Sequence, residues 1–300
     1  MALIETLDLS VYYGNQRGIH ELDLTVESGE VFGFLGPNGA GKTTTLRVLL
    51  DIIRPAKGNA SIFGLDCQKH GVKIRKQVGY LPGELSLYPN MRAETYFKIV
   101  NALRGVKEDR AWLAELCQRL ALDPTRPMNT YSHGNKQKVG LVAAFMSQPD
   151  LLILDEPTTG LDPLVQQAVH DLVREVRDDG RTVLFSSHIL SEVQAVCDRV
   201  GIIRNGIIVT TERVDKLLQR QFRCFRFRFE KLPPENIFDD LDVREVHRIE
   251  KELTIEIHNN FNEVLTRAVS FGVIDLEEKH LTLEEIFLAY YGEKGGNGDG

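Results

Sequence analysis

The sequence predicts an α/β fold in which a parallel sheet is covered by helices on both faces. Apolar strand-like runs alternate with segments of helical periodicity along much of the 300 residues. The glycine-rich stretch "GPNGAGKT" (36–43) stands between such a run and a helical segment, and the apolar run "LLIL" (151–154) is followed by two carboxylates. Both features belong at the carboxyl ends of parallel strands, where sheets of this class hold their ligands.

The N-terminal part predicts strands followed by one helix. Residues 2–14 alternate partly and end at a glycine, as a strand and a turn do. Residues 20–35 predict a hairpin-like pair that turns at Ser28–Gly29 and has a buried second strand. A helix is expected from about 41 to 53, because apolar residues recur on one face. These residues are Leu46, Leu49, Leu50 and Ile53.

The middle of the chain predicts a helical insert between two strands of the sheet. A short strand at Val78–Leu81 precedes a loop broken by proline and glycine, and residues 92–148 then show helical apolar spacing. The later elements are expected in this order: a buried strand within 149–157, a helix over 164–180, a strand over 181–188, a helix from 189, and a hairpin over 201–209 that turns at Asn205–Gly206.

After about Arg213 the pattern changes to that of a small α+β module. Residues 222–229 ("FRCFRFRFE") and 252–258 alternate as strands do, while 262–270 and 281–292 show helical spacing. We interpret the alternating arginines as the charged outer face of a half-buried strand rather than as a surface for nucleic acid.

These patterns predict two domains, 1–212 and 213–292, with a helical subdomain over about 86–148 in the first. Residues 293–300 are rich in glycine and are expected to be a disordered tail. The module over 213–292 shows no catalytic constellation.

Charge, apolar run lengths and cysteine spacing argue against several classes of protein. The net charge of −7 argues against general electrostatic attraction to nucleic acid. The longest apolar runs, such as "LVAAFM" (141–146), are far shorter than the ~20 residues that span a bilayer. The first ten residues lack the basic and then apolar pattern of a signal peptide. The four cysteines form no CxxC pair, which predicts reduced, buried thiols in a cytosolic setting rather than disulfides or zinc ligands.

The stretch 36–43 fits the phosphate-binding pattern G-x-x-x-x-G-K-[ST]. Glycines let successive N–H groups point at phosphate oxygens, and the helix that follows adds its positive N-terminal end. Lys42 is expected to contact the β- and γ-phosphates, and the Thr43 hydroxyl is expected to bind Mg²⁺. The predicted nucleotide-binding residues of this loop are Gly36, Pro37, Asn38, Gly39, Ala40, Gly41, Lys42, Thr43 and Thr44.

Two carboxylates follow the buried strand of "LLILDEP" (151–157). Asp155 suits the Mg²⁺ shell through its water, and Glu156 is then free to deprotonate the water that attacks the γ-phosphate. A pair that caps a helix ahead of Pro157 is the structural alternative. The phosphate-binding loop favours the catalytic interpretation.

With these motifs and with "TTGLDP" (158–163) and "SSH" (186–188), the sequence resembles the nucleotide-binding subunits of ABC transporters. The resemblance covers about residues 1–212 in order and continues more weakly to Tyr291. It implies a P-loop NTPase core of the ABC ATPase type, with an antiparallel β subdomain and a helical subdomain, and a small C-terminal α+β module. The first domain would be the ATP-binding domain.

The resemblance also implies roles for single residues. Asp162 lies in the D-loop and is expected at the nucleotide, and His188 lies in the switch region and is expected to contact the γ-phosphate. Tyr13 in "VYYG" is expected to stack on adenine, with Tyr12 the weaker candidate. The catalytic residues are thus Glu156, His188 and Lys42.

The family's LSGGQ signature corresponds to "YSHGNKQK" (131–138), in which Ser132 and Gly134 match and His133 and Asn135 depart. The resemblance implies that Ser132 and Gly134 bind the γ-phosphate of ATP held by a second copy, so that two copies clamp two ATP head to tail. A serine that caps a helix is the structural alternative.

A second departure concerns the loop after the Val78–Leu81 strand. Gly83 stands where the family has a glutamine or glutamate that reaches Mg²⁺, and a glycine has no side chain to bind a metal. Either Glu84 substitutes for it or water completes the shell.

The resemblance therefore implies an ATPase subunit that uses ATP and Mg²⁺, forms a homodimer, and drives separate membrane permease chains at the cytoplasmic face of the membrane. The segment 281–292 and the signature are similar to those of bacterial drug- and lipid-exporting type-two ABC ATPases, which favours export. The C-terminal module would support or regulate the dimer.

Two other classes of protein compete with this interpretation. A soluble ABC ATPase that acts on ribosomes or DNA usually carries two cassettes or long coiled coils, whereas this chain has one cassette and no sustained heptads. A P-loop kinase or GTPase would leave the signature, "TTGLDP" and "SSH" unexplained. No nucleic-acid partner is expected.

Overall fold

The structure is a computed structural model, and it divides into two compact units, Met1–Asp215 and Lys216–Gly300. The residues that it describes are 2–14, 16–219, 223–234, 236–257 and 260–279.

The strands of the first unit, in chain order, are β1 (Ala2–Tyr13), β2 (Gln16–Glu27), β3 (Val31–Leu35), β4 (Lys57–Ile62), β5 (Leu65–Asp66), β6 (Val78–Leu81), β7 (Leu151–Asp155), β8 (Thr182–Ser187), β9 (Arg199–Arg204) and β10 (Ile207–Arg213). Its helices are α1 (Lys42–Leu49), α2 (Cys67–Gln77), α3 (Ala93–Arg104), α4 (Arg110–Arg119), α5 (His133–Phe145), α6 (Pro163–Asp178) and α7 (Leu190–Val196), with a 3₁₀ turn at Met128–Thr130. A further helix, α8, spans Val214–Gln219.

A six-stranded sheet in the order β10-β9-β3-β8-β7-β6 forms the centre of the first unit. The strands from β9 to β6 are parallel, and β10 joins β9 as an antiparallel hairpin. Every residue of β3, β7 and β8 is buried. Because side chains alternate between the two faces of a strand, both faces of this part of the sheet are covered. The predicted parallel sheet is confirmed, and its carboxyl ends meet at one edge.

A second sheet, in the order β2-β1-β4-β5, is antiparallel. The predicted hairpin over 20–35 is wrong, because β2 pairs with β1 while β3 pairs with β8 and β9. The turn at 28–29 instead carries the chain from one sheet to the other, and it is fixed by a 2.8 Å hydrogen bond from Gly29 N–H to Thr182 Oγ1. Every position of β3 is apolar or glycine and buried, as in a central parallel strand covered on both faces, whereas β2 alternates as a strand with one exposed face does.

Helix α1 ends at Leu49, four residues earlier than predicted, and Asp51 beyond it has a left-handed backbone (φ 53°). Helix α2 is absent from the prediction because its buried side is short, with Cys67, Gly71 and Ile74 alone facing inward. Helices α3, α4 and α5 lie between β6 and β7, as the periodicity of that segment predicts.

Three of the four cysteines are free and buried: Cys67, Cys117 and Cys197. Burial raises the pKa of Cys67 to about 12 and that of Cys117 to about 11. Both thiols therefore stay protonated near neutral pH, as expected of apolar packing groups.

The second unit contains a four-stranded antiparallel sheet in the order β12-β13-β11-β14. Its elements are β11 (Arg223–Phe229), β12 (Val243–Ile249), β13 (Glu252–Ile257), α9 (Phe261–Ser270) and β14 (Val273–Lys279). The predicted segments 281–292 and 293–300 lie outside the described residues.

The strand β11 has one apolar and one charged face. Phe225, Phe227 and Phe229 are buried in the core of this unit. On the other face Arg226 bonds Glu277, and Arg228 Nε lies 2.9 Å from Glu252 Oε1. The arginines are thus paired with carboxylates of neighbouring strands, in agreement with the interpretation as an outer face.

Candidate nucleotide-binding and catalytic site

The phosphate-binding loop joins the end of β3 to the start of α1. Gly41, the N-cap of α1, has a left-handed backbone (φ 111°), and a Cβ there would lie 2.7 Å from Ile19 Cγ2. A Cβ at Gly36 would lie 2.3 Å from the carbonyl oxygen of Ile203. Both positions therefore require glycine, one for its backbone angle and both for space.

Lys42 begins α1 and is buried, with 6% of its surface exposed. Its ammonium donates hydrogen bonds to the carbonyl oxygens of Gly36 (2.7 Å) and Pro37 (3.3 Å). The same Nζ atom lies 3.1 Å from Glu156 Oε1. The charge of Lys42 thus sits inside the curve of the loop, beside the carboxylate that follows β7.

Asp155 ends β7 and is fully buried. Its Oδ2 accepts a 2.8 Å hydrogen bond from Thr43 Oγ1, and its Oδ1 accepts a 2.6 Å bond from Ser186 Oγ. Carboxylate and hydroxyl oxygens are the ligands that Mg²⁺ prefers, so this donor set fits that ion. Burial and then the charge of Asp155 raise the pKa of nearby Tyr80 to about 12, which keeps the phenol neutral.

Glu156 follows directly and has a left-handed backbone (φ 52°), which is uncommon for a residue other than glycine. Its N–H lies 3.2 Å from both the carbonyl oxygen and the hydroxyl of Ser186. Its Oε2 lies 2.6 Å from Nδ1 of His188, whose side chain is 40% exposed. The carboxylate is therefore placed between an imidazole and the ammonium of Lys42.

Three neighbouring strands supply these groups. The loop after β3, the carboxylates after β7 and His188 after β8 all stand at the carboxyl edge of the sheet. The loop and the switch segment are joined directly, because Gly36 N–H donates to the carbonyl oxygen of Ser187 at 3.2 Å. The arrangement can hold an anion beside a carboxylate base and a histidine.

Tyr13 lies beside this loop. Its hydroxyl is 3.4 Å from Thr44 Oγ1, and its ring passes close to Gly18, where a Cβ would lie 2.9 Å from Tyr13 Cε2. Both Tyr12 and Tyr13 are more than two-fifths exposed. The contact with Thr44 distinguishes Tyr13 as the tyrosine nearer to the nucleotide loop.

The signature residues lie at the start of α5. Ser132 Oγ accepts a hydrogen bond from Asn135 N–H at 3.3 Å and caps the helix. Gly134 packs on the "TTGLDP" loop so closely that a Cβ would lie 2.6 Å from the carbonyl oxygen of Gly160. Asp162 Oδ1 accepts from Val165 N–H at 3.1 Å and caps α6.

The structure therefore groups the signature with the "TTGLDP" loop. Among the contacts of the described residues, Ser132, Gly134 and Asp162 do not join the cluster around Lys42.

Gly83 lies at the site although it has no side chain to offer. A Cβ there would be 3.1 Å from Asp155 Oδ2, so the loop passes beside the buried carboxylate and a larger residue would need it to shift. Glu84 next to it is exposed.

Sequence reasoning missed three polar side chains of the site. Ser186 bonds Asp155, as described above. Gln137 is 4% exposed and donates from Nε2 to the carbonyl oxygens of Glu156 (3.1 Å) and Pro157 (3.4 Å). Glu192 is 7% exposed and accepts from Thr158 and Ser187. The serine at a strand end was visible as a polar break in an apolar run, whereas Gln137 and Glu192 have no local signal.

Within the part of the chain that is described, no helix combines the length and the apolar character needed to cross a bilayer.

The fold and the site together define a P-loop nucleoside-triphosphate hydrolase. Residues 19–159 match the family described as ABC transporter. The bacitracin transport ATP-binding protein BcrA of Bacillus licheniformis is 36% identical over 75% of this chain and 74% of its own length. The daunorubicin/doxorubicin resistance ATP-binding protein DrrA of Streptomyces peucetius is 37% identical over 69% of this chain and 64% of its own length.

Among solved structures, one described as an ATP-binding subunit of an ABC transporter matches with a TM-score of 0.67 and 30% identity, over 73% of this chain and 92% of that chain. The chain belongs to the ATP-binding subunits of the ABC transporter family, and it binds and hydrolyses ATP.

Proposed function

We propose that this chain is the ATP-hydrolysing subunit of an exporter, working as a homodimer at the cytoplasmic face of the membrane and driving separate permease chains. The names of two relatives, for bacitracin transport and for daunorubicin/doxorubicin resistance, support a cargo of the antibiotic or lipid-like class. The second unit, over about 213–292, would serve as an accessory or dimerisation module.

The observation that carries the proposal is the position of Glu156. Its two carboxylate oxygens face Lys42 Nζ at 3.1 Å and His188 Nδ1 at 2.6 Å. In the hydrolytic complex Lys42 would turn to the β- and γ-phosphates, His188 would hold the γ-phosphate, and Glu156 would accept a proton from the attacking water. Catalysis of this kind rests on placement and charge and involves no covalent intermediate.

Thr43 and Asp155 would hold Mg²⁺, and Ser186 would orient Asp155 through its 2.6 Å bond. When bound, the ion supplies positive charge to the phosphate oxygens. Gly83 leaves this shell without the side chain that the family pattern has there, so water would complete it.

The other part of the ATP site would come from a second copy. The N-terminus of α5 presents Ser132 and the N–H groups near Gly134, which suit an anion. These groups are held against the "TTGLDP" loop with Asp162 rather than against the Lys42 cluster of the same chain. A head-to-tail pair would bring them to the γ-phosphate of its partner, and Tyr13 would stack on the adenine of its own nucleotide.

The variant Glu156→Gln tests this proposal. It keeps the shape of the side chain and one acceptor oxygen but replaces the other oxygen with an NH2 donor and removes the base, so turnover should fall by about 10²–10⁴-fold. ATP binding should persist, and a dimer should accumulate with ATP. Phosphate release and light scattering measure the two effects.

The matched control is Glu21→Gln, at an exposed glutamate of the same unit, which should leave both measurements unchanged. Near-normal hydrolysis by Glu156→Gln would remove Glu156 from its role. If Glu156→Gln hydrolyses ATP slowly but forms no dimer with ATP, the role of Glu156 as the base stands, and the proposed clamping of ATP between two copies is wrong.

Export is tested separately, in inverted membrane vesicles from cells that produce this chain together with a membrane protein that co-purifies with it. We expect uptake of bacitracin or daunorubicin into inverted vesicles to need ATP and to be lost with Glu156→Gln. Uptake that is equal for the native and variant chains would contradict the role in export.

A further inference from the structure

Glu192 has a buried carboxylate, which bonds residues next to Glu156 and His188. Glu192 lies on α7, and its Oε2 accepts a hydrogen bond from Ser187 Oγ at 2.5 Å while its Oε1 accepts one from Thr158 Oγ1. Both hydroxyl residues are buried as well. A buried carboxylate is costly unless bonds of this kind satisfy it, and charge-assisted bonds are the short and strong ones.

The two hydroxyl groups belong to the segments that carry the catalytic pair. Ser187 immediately precedes His188, and Thr158 follows Glu156 by two residues. Across the site, Glu156 and His188 lie 2.6 Å apart. One carboxylate therefore bonds both of the segments that carry the pair.

Ser187 also bonds the phosphate-binding loop. The carbonyl oxygen of Ser187 accepts the N–H of Gly36 at 3.2 Å, and Ser187 Oγ also accepts the N–H of Ile189 at 3.0 Å. The hydroxyl of Ser187 thus links α7 to the strand end from which His188 projects. Displacement of Ser187 would move the histidine relative to both the carboxylate and the loop.

We propose that Glu192 is a positioning residue for ATP hydrolysis, which sets the separation of Glu156 and His188 by holding Thr158 and Ser187 at once. It contacts neither substrate nor reacting atoms and acts through the two segments. The inference rests on the roles of Glu156 and His188 proposed above. The rate of hydrolysis depends on the exact positions of Glu156 and His188, since a displacement of about 1 Å can lower a rate by about 10²-fold.

The first test compares two substitutions. Glu192→Ala leaves both hydroxyl groups without their acceptor, whereas Glu192→Gln keeps the shape, accepts from one hydroxyl group and donates to the other. We expect kcat of Glu192→Ala to fall by about 10- to 100-fold, with the KM for ATP nearly unchanged. Glu192→Gln should recover most of the rate.

Val193→Ala is the matched control for stability. Val193 is fully buried on the same helix, so the substitution should lower the melting temperature while kcat is retained. If the Glu192→Ala chain does not fold, Thr158→Val and Ser187→Ala each remove one of the two bonds and should each give a smaller loss of kcat. A kcat equal to that of the native chain in both would overturn the inference.

The second test is a double-mutant cycle with His188→Ala. If Glu192 acts by setting the separation of the pair, Glu192→Ala should cost much less in the His188→Ala chain than in the native chain. If the fold-losses in kcat of the two single variants multiply to give the loss of the double variant, Glu192 acts independently of His188 and is a structural residue only. Normal hydrolysis by His188→Ala alone would instead overturn the proposed role of the histidine, which is a separate failure.

Discussion

The two units of the chain place their charged side chains in different ways. In the first unit, Lys42, Asp155 and Glu156 gather in a mostly buried cluster at one edge of a parallel sheet. In the second, Arg226 and Arg228 pair with carboxylates of neighbouring antiparallel strands on an exposed face.

Strand direction accounts for the difference. Parallel strands bring all their carboxyl ends to the same edge, so residues that follow different strands meet there. Antiparallel neighbours run in opposite directions, and their charged residues meet across the middle of the sheet as pairs. In the first arrangement, charged residues that follow different strands converge on one place where a ligand can bind, whereas in the second each charge meets its partner on the neighbouring strand.

The largest effect that would test this contrast is expected from Lys42→Ala. It should raise the Kd for ATP by about 10²-fold or more, since hydrogen bonds to charged groups are each worth about 1.5–3 kcal/mol. Equilibrium binding of ATP measures it. Lys138→Ala is the control, because Lys138 is also buried in the first unit, at 8% exposure, but bonds the carbonyl oxygen of Ala121. Tight ATP binding retained in Lys42→Ala would contradict the role of the loop.

An effect of intermediate size is expected from Phe227→Ala. This ring is fully buried in the core of the second unit, and its removal should cost about 3–5 kcal/mol of that unit's free energy of unfolding. ATP affinity should stay unchanged, because the proposed nucleotide site lies in the first unit. Thermal unfolding and ATP binding are measured together, with Ile274→Ala at an exposed position as the control. A parallel loss of affinity would show that the site depends on the second unit.

The smallest effect is expected from Arg228→Ala. Exposed ion pairs are worth about 0–1 kcal/mol, so the free energy of unfolding should fall by no more than that, and by less at high salt. Denaturant unfolding at two salt concentrations checks this. The ATPase rate should not change. A large and salt-independent loss would place Arg228 among the core contacts and would weaken the contrast between the two units.

Sequence patterns predict those residues of the site that directly follow a strand. The loop 36–43, the pair Asp155–Glu156 and His188 each follow an apolar run, so their meeting at one sheet edge follows from parallel topology. The pairing of β2 with β1 was not predictable from local alternation, because a strand's pattern shows which face is buried but not which strand lies beside it.

The remaining misses have similar causes. The strands β4, β5, β12 and β14 were not predicted, and neither were α8 and α2, of which α2 has a short buried face. Gln137 bonds residues 19 and 20 positions away, and Glu192 joins Ser187, five positions away, to Thr158, 34 positions away. A single polar residue on a helix gives no sign of such a distant partner.

The contact between Gly134 and Gly160 has a mechanical consequence. Gly134 lies against the backbone of Gly160, the ring of His133 packs on the same glycine, and Gln137 of the same helix bonds the chain just beyond β7. A tilt of α5 would therefore displace residues 158–163 and the backbone beside Glu156 together, which couples the helical insert to the carboxyl edge of the sheet.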